Sequence, residues 1–336
     1  MKKLLETIVL LSVFVAGFWY LQDVFMPRYS KTNIPEGLLT KEYYDSTFEH
    51  EVVFLGDCEV FENISTVTLF EKYGIHSYIR GNAQQQVWHS YYILEELLQY
   101  ETPKVVVFNV NALRYDEPVS EPYNRLVADR MKWSSSKWNM IQAAKMEDES
   151  MLDYIFPLFR YHYRYSEITL NDFSLQEEDT VTYAGYLMNC EVKPLTTLPK
   201  PEPLRQKDFS SNVYQYLNKM VALCADNNVE LILMKAPTLH PHWYEEWDEK
   251  MIAYASKHNI RYYNFINDID EIGLNFAEDT SDAGIHLNVY GAEKFADYLG
   301  RLLKSERKLT DYRENEKIAR WWKPIIEKYK KEKEKN

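Results

Sequence analysis

Cys58 stands directly after Gly56-Asp57, at the end of the apolar run Val53-Phe54-Leu55. Far downstream, His286 follows Asp282 by four positions. A thiol, an imidazole and a carboxylate are the parts of nucleophilic acyl transfer. The sulfur attacks a carbonyl, the ring takes and returns a proton, and the acid orients the ring. A small nucleophile just after a strand-end glycine is an arrangement such enzymes use. Gly81 offers a backbone N–H for a developing oxyanion, and Asn111 offers a side-chain amide, with Asn109 as its competitor. Asp57 and Gln85, the latter within Gln84-Gln85-Gln86, are candidate substrate contacts.

Each residue also has a plainer reading. A free cysteine at a strand end is commonly a packed thiol. Asp57 and Glu59 flank Cys58, and two carboxylates raise a thiol pKa, which disfavours the thiolate. Asp282 can cap a turn, and Asp279 is a second acid able to orient His286. His240-Pro-His242 lacks a third ligand nearby, so no metal site is expected. Arg160, His162 and Arg164 could meet an anionic polymer or simply form an exposed polar face.

The pattern around these residues alternates strand and helix. Strands are expected at 51–55, 75–80, 105–110, 229–235 and 261–265. Helices are expected at 63–73, 84–100, 214–226, 241–258 and 290–304. This spacing predicts an α/β domain, a three-layer α/β/α doubly wound parallel sheet. In such a sheet the C-terminal strand ends gather into one crevice. That crevice would collect 56–58, 81–82, 109–111 and the Asp282–His286 loop.

Residues 1–27 read as a signal anchor. Lys2-Lys3 precedes an apolar run ending at Leu21, with Trp19-Tyr20 at its far end. A cleaved signal peptide is the alternative, but no small-x-small site precedes Phe18-Trp19-Tyr20. The Lys pair then stays in the cytoplasm and the rest of the chain lies outside. Residues 28–50 look like a tether, 51–304 form the α/β domain, about 116–210 read as an insertion, and 305–336 as a charged, solvated helical tail. The formal charge of −12 argues against nucleic acid as a partner. Three cysteines give no disulfide framework. Cys224 reads as a packed small hydrophobe, and Cys190 has no assigned role.

On these motifs the chain resembles the SGNH/GDSL hydrolase family. Gly56-Asp57-Cys58 stands where that family has Gly-Asp-Ser. Gly81 matches its second-block glycine and Asn111 its third-block asparagine. Asp282 to His286, with Leu287-Asn288, matches its last block. The Tyr-Gly-Ile, Gln-Gln, Ser-Tyr-Tyr and Pro-Lys-Val-Val-Val segments between 73 and 107 narrow the resemblance. They look like membrane-anchored extracytoplasmic SGNH-like proteins, related to the teichoic-acid D-alanylation protein and to alginate-type O-acetyltransferases. The resemblance covers about 50–115 and 212–304.

It implies an acyl esterase or O-acyltransferase acting on cell-envelope polysaccharide or a teichoic-acid-like polymer. It also implies a membrane-bound O-acyltransferase as partner, and no cofactor. Two departures stand out. Cys58 replaces the family's serine, and Asp-x-x-x-His is one residue longer than Asp-x-x-His. They keep open the alternative of an inactive SGNH fold that binds glycan or scaffolds an acyltransferase. A flavodoxin-like nucleotide binder is a weaker reading, since no Gly-rich phosphate loop is present.

Overall fold

The computed structural model describes residues 1–335 apart from 30–31, 33, 47–48, 175–179, 198–199, 201–202, 205 and 240–242. The expected His240–His242 segment therefore lies outside the described residues. Helix α1 (Lys2–Phe25) precedes the body. The body contains β1 (Val52–Gly56), α2 (Cys58–Phe61), α3 (Thr66–Tyr73), β2 (Ser77–Gly81), α4 (Val87–Leu97) and β3 (Val105–Asn109). After a long interruption come α5 (Met151–Ile155), α6 (Pro157–Tyr161), α7 (Ser211–Asp226), β4 (Glu230–Lys235), α8 (Glu245–His258), β5 (Arg261–Asn264), α9 (Val289–Glu306) and α10 (Glu316–Lys333).

The five strands form one parallel sheet in the order β2-β1-β3-β4-β5. Every residue of β1, β2 and β3 is buried. Parallel strands with no exposed residue need cover on both faces, which explains their unbroken apolar runs. One helical layer packs α3 on α9; another packs α4 on α7 and on the helix Ser135–Ala144. The expected doubly wound architecture is present. The strand order reverses between β1 and β3, and at such a switch point two loops splay apart to leave a crevice.

Two segments depart from the expected organisation. The stretch 28–50 is part of the body, because Tyr29, Leu38, Leu39, Tyr43 and His50 are buried. The helix Leu39–Tyr44 lies against β2. The C-terminal tail is not solvated along its length either. Ile318, Trp322 and Tyr329 form a buried stripe on α10. Trp322 stacks on Phe70 with ring centroids 4.7 Å apart, and its indole N–H donates to His76 Nδ1 at 3.1 Å. The charged residues that suggested a solvated helix occupy the other faces of an amphipathic one.

The interruption between β3 and α7 carries short helices. Its last part runs along the β2 side of the sheet. The Leu187 amide donates to Phe61 O, and Lys193 exchanges backbone hydrogen bonds with the loop at 280–283. Residues 187–195 thus run beside Phe61 and the loop that carries Asp282. The helix α6 instead packs against α1, and α5 packs against α6.

Candidate active site

Gly56 ends β1 with φ at +152°, and a Cβ there would come within 2.6 Å of Val60 and 2.9 Å of Asn109. Only glycine fits this close approach. The chain then turns at once into α2, with Cys58 as its first residue and Asp57 in extended conformation before it. Gly56 is in register with Gly81 on β2, where a Cβ would lie 3.1 Å from Gly56 O. The two glycines let the ends of β1 and β2 close up beneath Cys58.

His286 comes from the loop before α9. Its Nδ1 lies 2.5 Å from Asp282 Oδ2, and its backbone N–H donates to Asp282 Oδ1 at 2.7 Å. A carboxylate only accepts, so Nδ1 carries the hydrogen. The longer Asp-x-x-x-His spacing is absorbed by left-handed backbone at Ala283 (φ 63°) and Gly284 (φ 95°). That turn is held by the Gly284 amide on Thr280 Oγ1 at 2.7 Å. The alternative acid, Asp279, is occupied elsewhere: its Oδ2 accepts from the Asn275 amide at 2.7 Å and pairs with Lys294 at 2.6 Å. Asn63 ties the loop to the nucleophile side by accepting from the Leu287 amide at 2.8 Å.

The Cys58 thiol lies against the His286 ring, close enough for each to shift the other's titration. His286 Nε2 is buried with no aligned hydrogen-bond partner. The ring and the sulfur are thus neighbours without a well-directed bond in this resting arrangement. Apo catalytic sites commonly show such loose geometry.

The electrostatics are mixed. Burial, and then the charge of Asp57, push the thiol pKa up; contact with His286 acts the other way. Burial opposes charge on His286, but the Asp282 hydrogen bond, with Cys58 and Glu62 behind it, outweighs burial and raises the imidazole pKa. Asp282 is held below its ordinary range, because His286 outweighs its partial burial. The result is an imidazole that holds its proton well above the usual range, beside a weakly acidic thiol.

Glu59 does not press on the sulfur as the sequence suggested. It is buried and paired with Lys235 Nζ at 2.7 Å, and it accepts from Asn109 at 2.9 Å. Asn109 also donates to Asp57 at 3.1 Å and accepts from the Ala236 amide at 3.2 Å. Its hydrogen-bonding capacity is spent on structure. Asn111 donates to Asp57 Oδ2 at 2.6 Å, while its Oδ1 is buried without a partner. Of the two asparagines, Asn111 alone keeps a spare amide hydrogen, but its carboxylate partner holds it.

Asp57 is buried under these amides, and burial, then Glu59, raise its pKa. It shapes the site from beneath. Gln85 is fully buried; its amide donates to Arg80 O at 3.1 Å and Ser90 Oγ at 3.0 Å, and it accepts from Asn82 at 3.1 Å. These bonds fasten the loop between β2 and α4, which corrects its reading as a substrate contact. Arg160 is tied to Glu121, and buried Arg164 donates to Phe25 O at 2.6 Å. Neither is a free polymer-binding cation.

Glu62 was not legible in the sequence. It lies one helical turn beyond Cys58, with Oε1 3.9 Å from His286 Nδ1. Burial, opposed by His286, pushes its carboxyl up to about 7. Its i, i+4 spacing from Cys58 is the one sequence signal that could have flagged it.

No family model matches this chain, and no curated protein does either. Among solved structures, a GDSL-like lipase of Bacteroides thetaiotaomicron aligns over 83% of this chain and 100% of its own, at 10% identity and TM-score 0.39. A Bacteroides fragilis protein assigned as an acylhydrolase aligns over 84% of this chain and 96% of its own, at 13% identity and TM-score 0.37. Likeness this distant says nothing of what the present chain does.

Proposed function

We propose that the chain is an SGNH-type acyl esterase or O-acyltransferase, with Cys58 as nucleophile, His286 as base and acid, and Asp282 as its orienting carboxylate. One observation carries this reading. Asp282 holds the proton on Nδ1, and the same ring neighbours a thiol at the C-terminal end of β1. That is the division of labour that acyl transfer requires.

With His286 neutral, a form its raised pKa reserves for alkaline pH, Cys58 would attack the acyl carbonyl while its proton passes to the ring. The tetrahedral oxyanion collapses to a thioester, and His286 returns the proton to the departing alcohol. Water or a hydroxyl of the acceptor then gives its proton to His286 and attacks the thioester. The thiolate leaves and is reprotonated. The oxyanion donors would be the Cys58 and Gly81 N–H groups, with the Asn111 amide available only if it turns from Asp57.

The acceptor in this reading is cell-envelope polysaccharide or a teichoic-acid-like polymer. Arg114, whose charge bears on Asp57, lines a cleft of about 220 Å³ with Asp208, Tyr244 and Trp247. Aromatic faces beside a carboxylate suit a sugar. A membrane-bound O-acyltransferase as acyl supplier belongs to the same reading. α1 is long and apolar enough to cross a membrane, and it would anchor the body on the extracytoplasmic side. Its retention is supported by Gln22 and Val24, buried against the body.

A second reading is a catalytically inactive SGNH fold that binds glycan or scaffolds an acyltransferase. It is favoured by the raised thiol pKa and the Asn111–Asp57 bond. Turnover of p-nitrophenyl acetate by the full chain, beside Cys58→Ala and Cys58→Ser, separates the two. Activity lost in Cys58→Ala supports the enzyme; equal turnover in the wild type and Cys58→Ala supports the inactive fold.

A further inference from the structure

The last two turns of α1 are fastened to the segment from Phe156 to Phe173. Phe18 and Trp19 pack on Phe156 with centroids 5.5 and 6.0 Å apart. Tyr20 Oη donates to Phe173 O at 2.8 Å, and Gln22 Oε1 accepts from the Leu158 amide at 2.9 Å. Arg164 holds the helix end through Phe25 O at 2.6 Å, and Arg28 donates to Ser174 O at 2.7 Å. The helix and this segment therefore move as one piece.

Apart from Glu6, α1 is largely apolar from Leu4 to Leu21, about 18 residues or ~27 Å at the helical rise. A bilayer's hydrocarbon core is about 30 Å thick. A membrane that α1 crosses consumes that whole length, so its outer boundary falls at Phe18–Leu21. Phe156 and Phe173, which touch those residues, must then lie at interfacial depth.

The same segment and α5 before it expose large apolar side chains to solvent. Leu170 is 90% exposed, Tyr165 76%, Leu152 52% and Phe159 49%. They sit on α5, α6 and the short 3-10 turns His162–Ser166 and Leu170–Phe173.

We propose that residues 151–173 form a collar that beds into the lipid interface of the membrane α1 crosses. This rests on reading α1 as a membrane span. Aromatic and aliphatic side chains beside a span suit the headgroup boundary, where amphipathic rings are favoured. The collar would give the body a fixed tilt and height, so that the crevice at Cys58 meets its substrate at a set distance from the bilayer.

The test uses the full chain in nanodiscs of phosphatidylglycerol and phosphatidylcholine. A fraction of the lipid carries a diazirine near the headgroup end of its acyl chain, and crosslinked peptides are mapped by mass spectrometry. Ile252 on α8 is 55% exposed and serves as the internal control for mere apolar exposure. The collar predicts labelling of 151–173 at least about tenfold above the Ile252 peptide, at levels near those of α1. The double variant Phe159→Asp, Leu170→Asp should lose collar labelling while keeping α1 labelling and the melting temperature, since both side chains are exposed. Labelled α1 with 151–173 no higher than the Ile252 peptide would overturn the collar. An unlabelled α1 would overturn the span itself, and the collar with it.

Discussion

Lys235 Nζ sits 2.7 Å from Glu59 beneath the nucleophile, and both side chains are almost fully buried. The carboxylate two positions from Asp57 thereby has a buried counter-charge. The acid that bears most on the Cys58 thiol is Asp57, with Glu62 behind it.

This buried pair makes a stability prediction. Lys235→Met should destabilise by about 3–5 kcal/mol, because Glu59 is left buried without its cation. The double variant Glu59→Leu, Lys235→Met should recover most of that loss. Chemical denaturation at neutral pH measures both. Equal losses in the single and double variants would mean that the pairing is not what the site rests on.

The thiol makes a pH prediction. Its pKa is raised, so the reactive thiolate grows in only as pH rises above the ordinary thiol range. Alkylation of Cys58 by iodoacetamide, followed on its own peptide, should still be accelerating at pH 9. Asp57→Asn removes a raising charge and should speed alkylation at fixed pH. His286→Ala removes the lowering contact and should slow it. A plateau below neutral pH would contradict this electrostatic picture.

Asp282 makes a kinetic prediction. Asp282→Asn keeps the side chain's size but loses control of the ring's tautomer, and kcat should fall by about 10²–10⁴-fold. The folded carboxyl of Asp282 titrates below its ordinary range, so its contact with His286 is intact above that range and is lost as pH falls through the folded value. Ester turnover should fall at higher pH than this, because His286, whose pKa is raised, takes up its proton first. An Asp279→Asn variant should leave kcat nearly unchanged, because Asp279 serves Lys294 and Asn275 instead.

The tail makes a second stability prediction. Trp322→Ala opens a cavity against Phe70 and removes the indole N–H that donates to His76, at a cost of about 3–5 kcal/mol. The same variant should make residues beyond 310 sensitive to limited proteolysis. A tail cleaved equally fast in the wild type would contradict its packing.

Much of this was legible before any coordinates. The apolar runs at 53–55 and 105–108 could only be buried parallel strands, and their glycine and asparagine ends marked the crevice. The Asp282–His286 relation was visible as a pair of types, though whether Asp279 or Asp282 orients the ring depended on the left-handed turn at Ala283–Gly284. That turn is a backbone property that side-chain identities do not announce. Glu59 misled because its buried partner, Lys235, lies on another strand, and pairing across a sheet has no signature along the chain. Gln85 misled for a related reason. Its polarity suggested a ligand, while burial turned the same amide to bracing a loop. The tail's high charge concealed a stripe of Ile318, Trp322 and Tyr329 at helical spacing.

The central claim is that Cys58 forms a covalent acyl intermediate with help from His286. The direct measurement is peptide mass spectrometry of the full chain, quenched in acid after brief exposure to p-nitrophenyl acetate at mildly alkaline pH. The account predicts an acetyl group on the Cys58 peptide that hydroxylamine removes. It should be much reduced in His286→Ala and absent in Cys58→Ala, with turnover lost in step. Undiminished turnover in Cys58→Ala, with no acetyl group on Cys58 in the wild type, would contradict it.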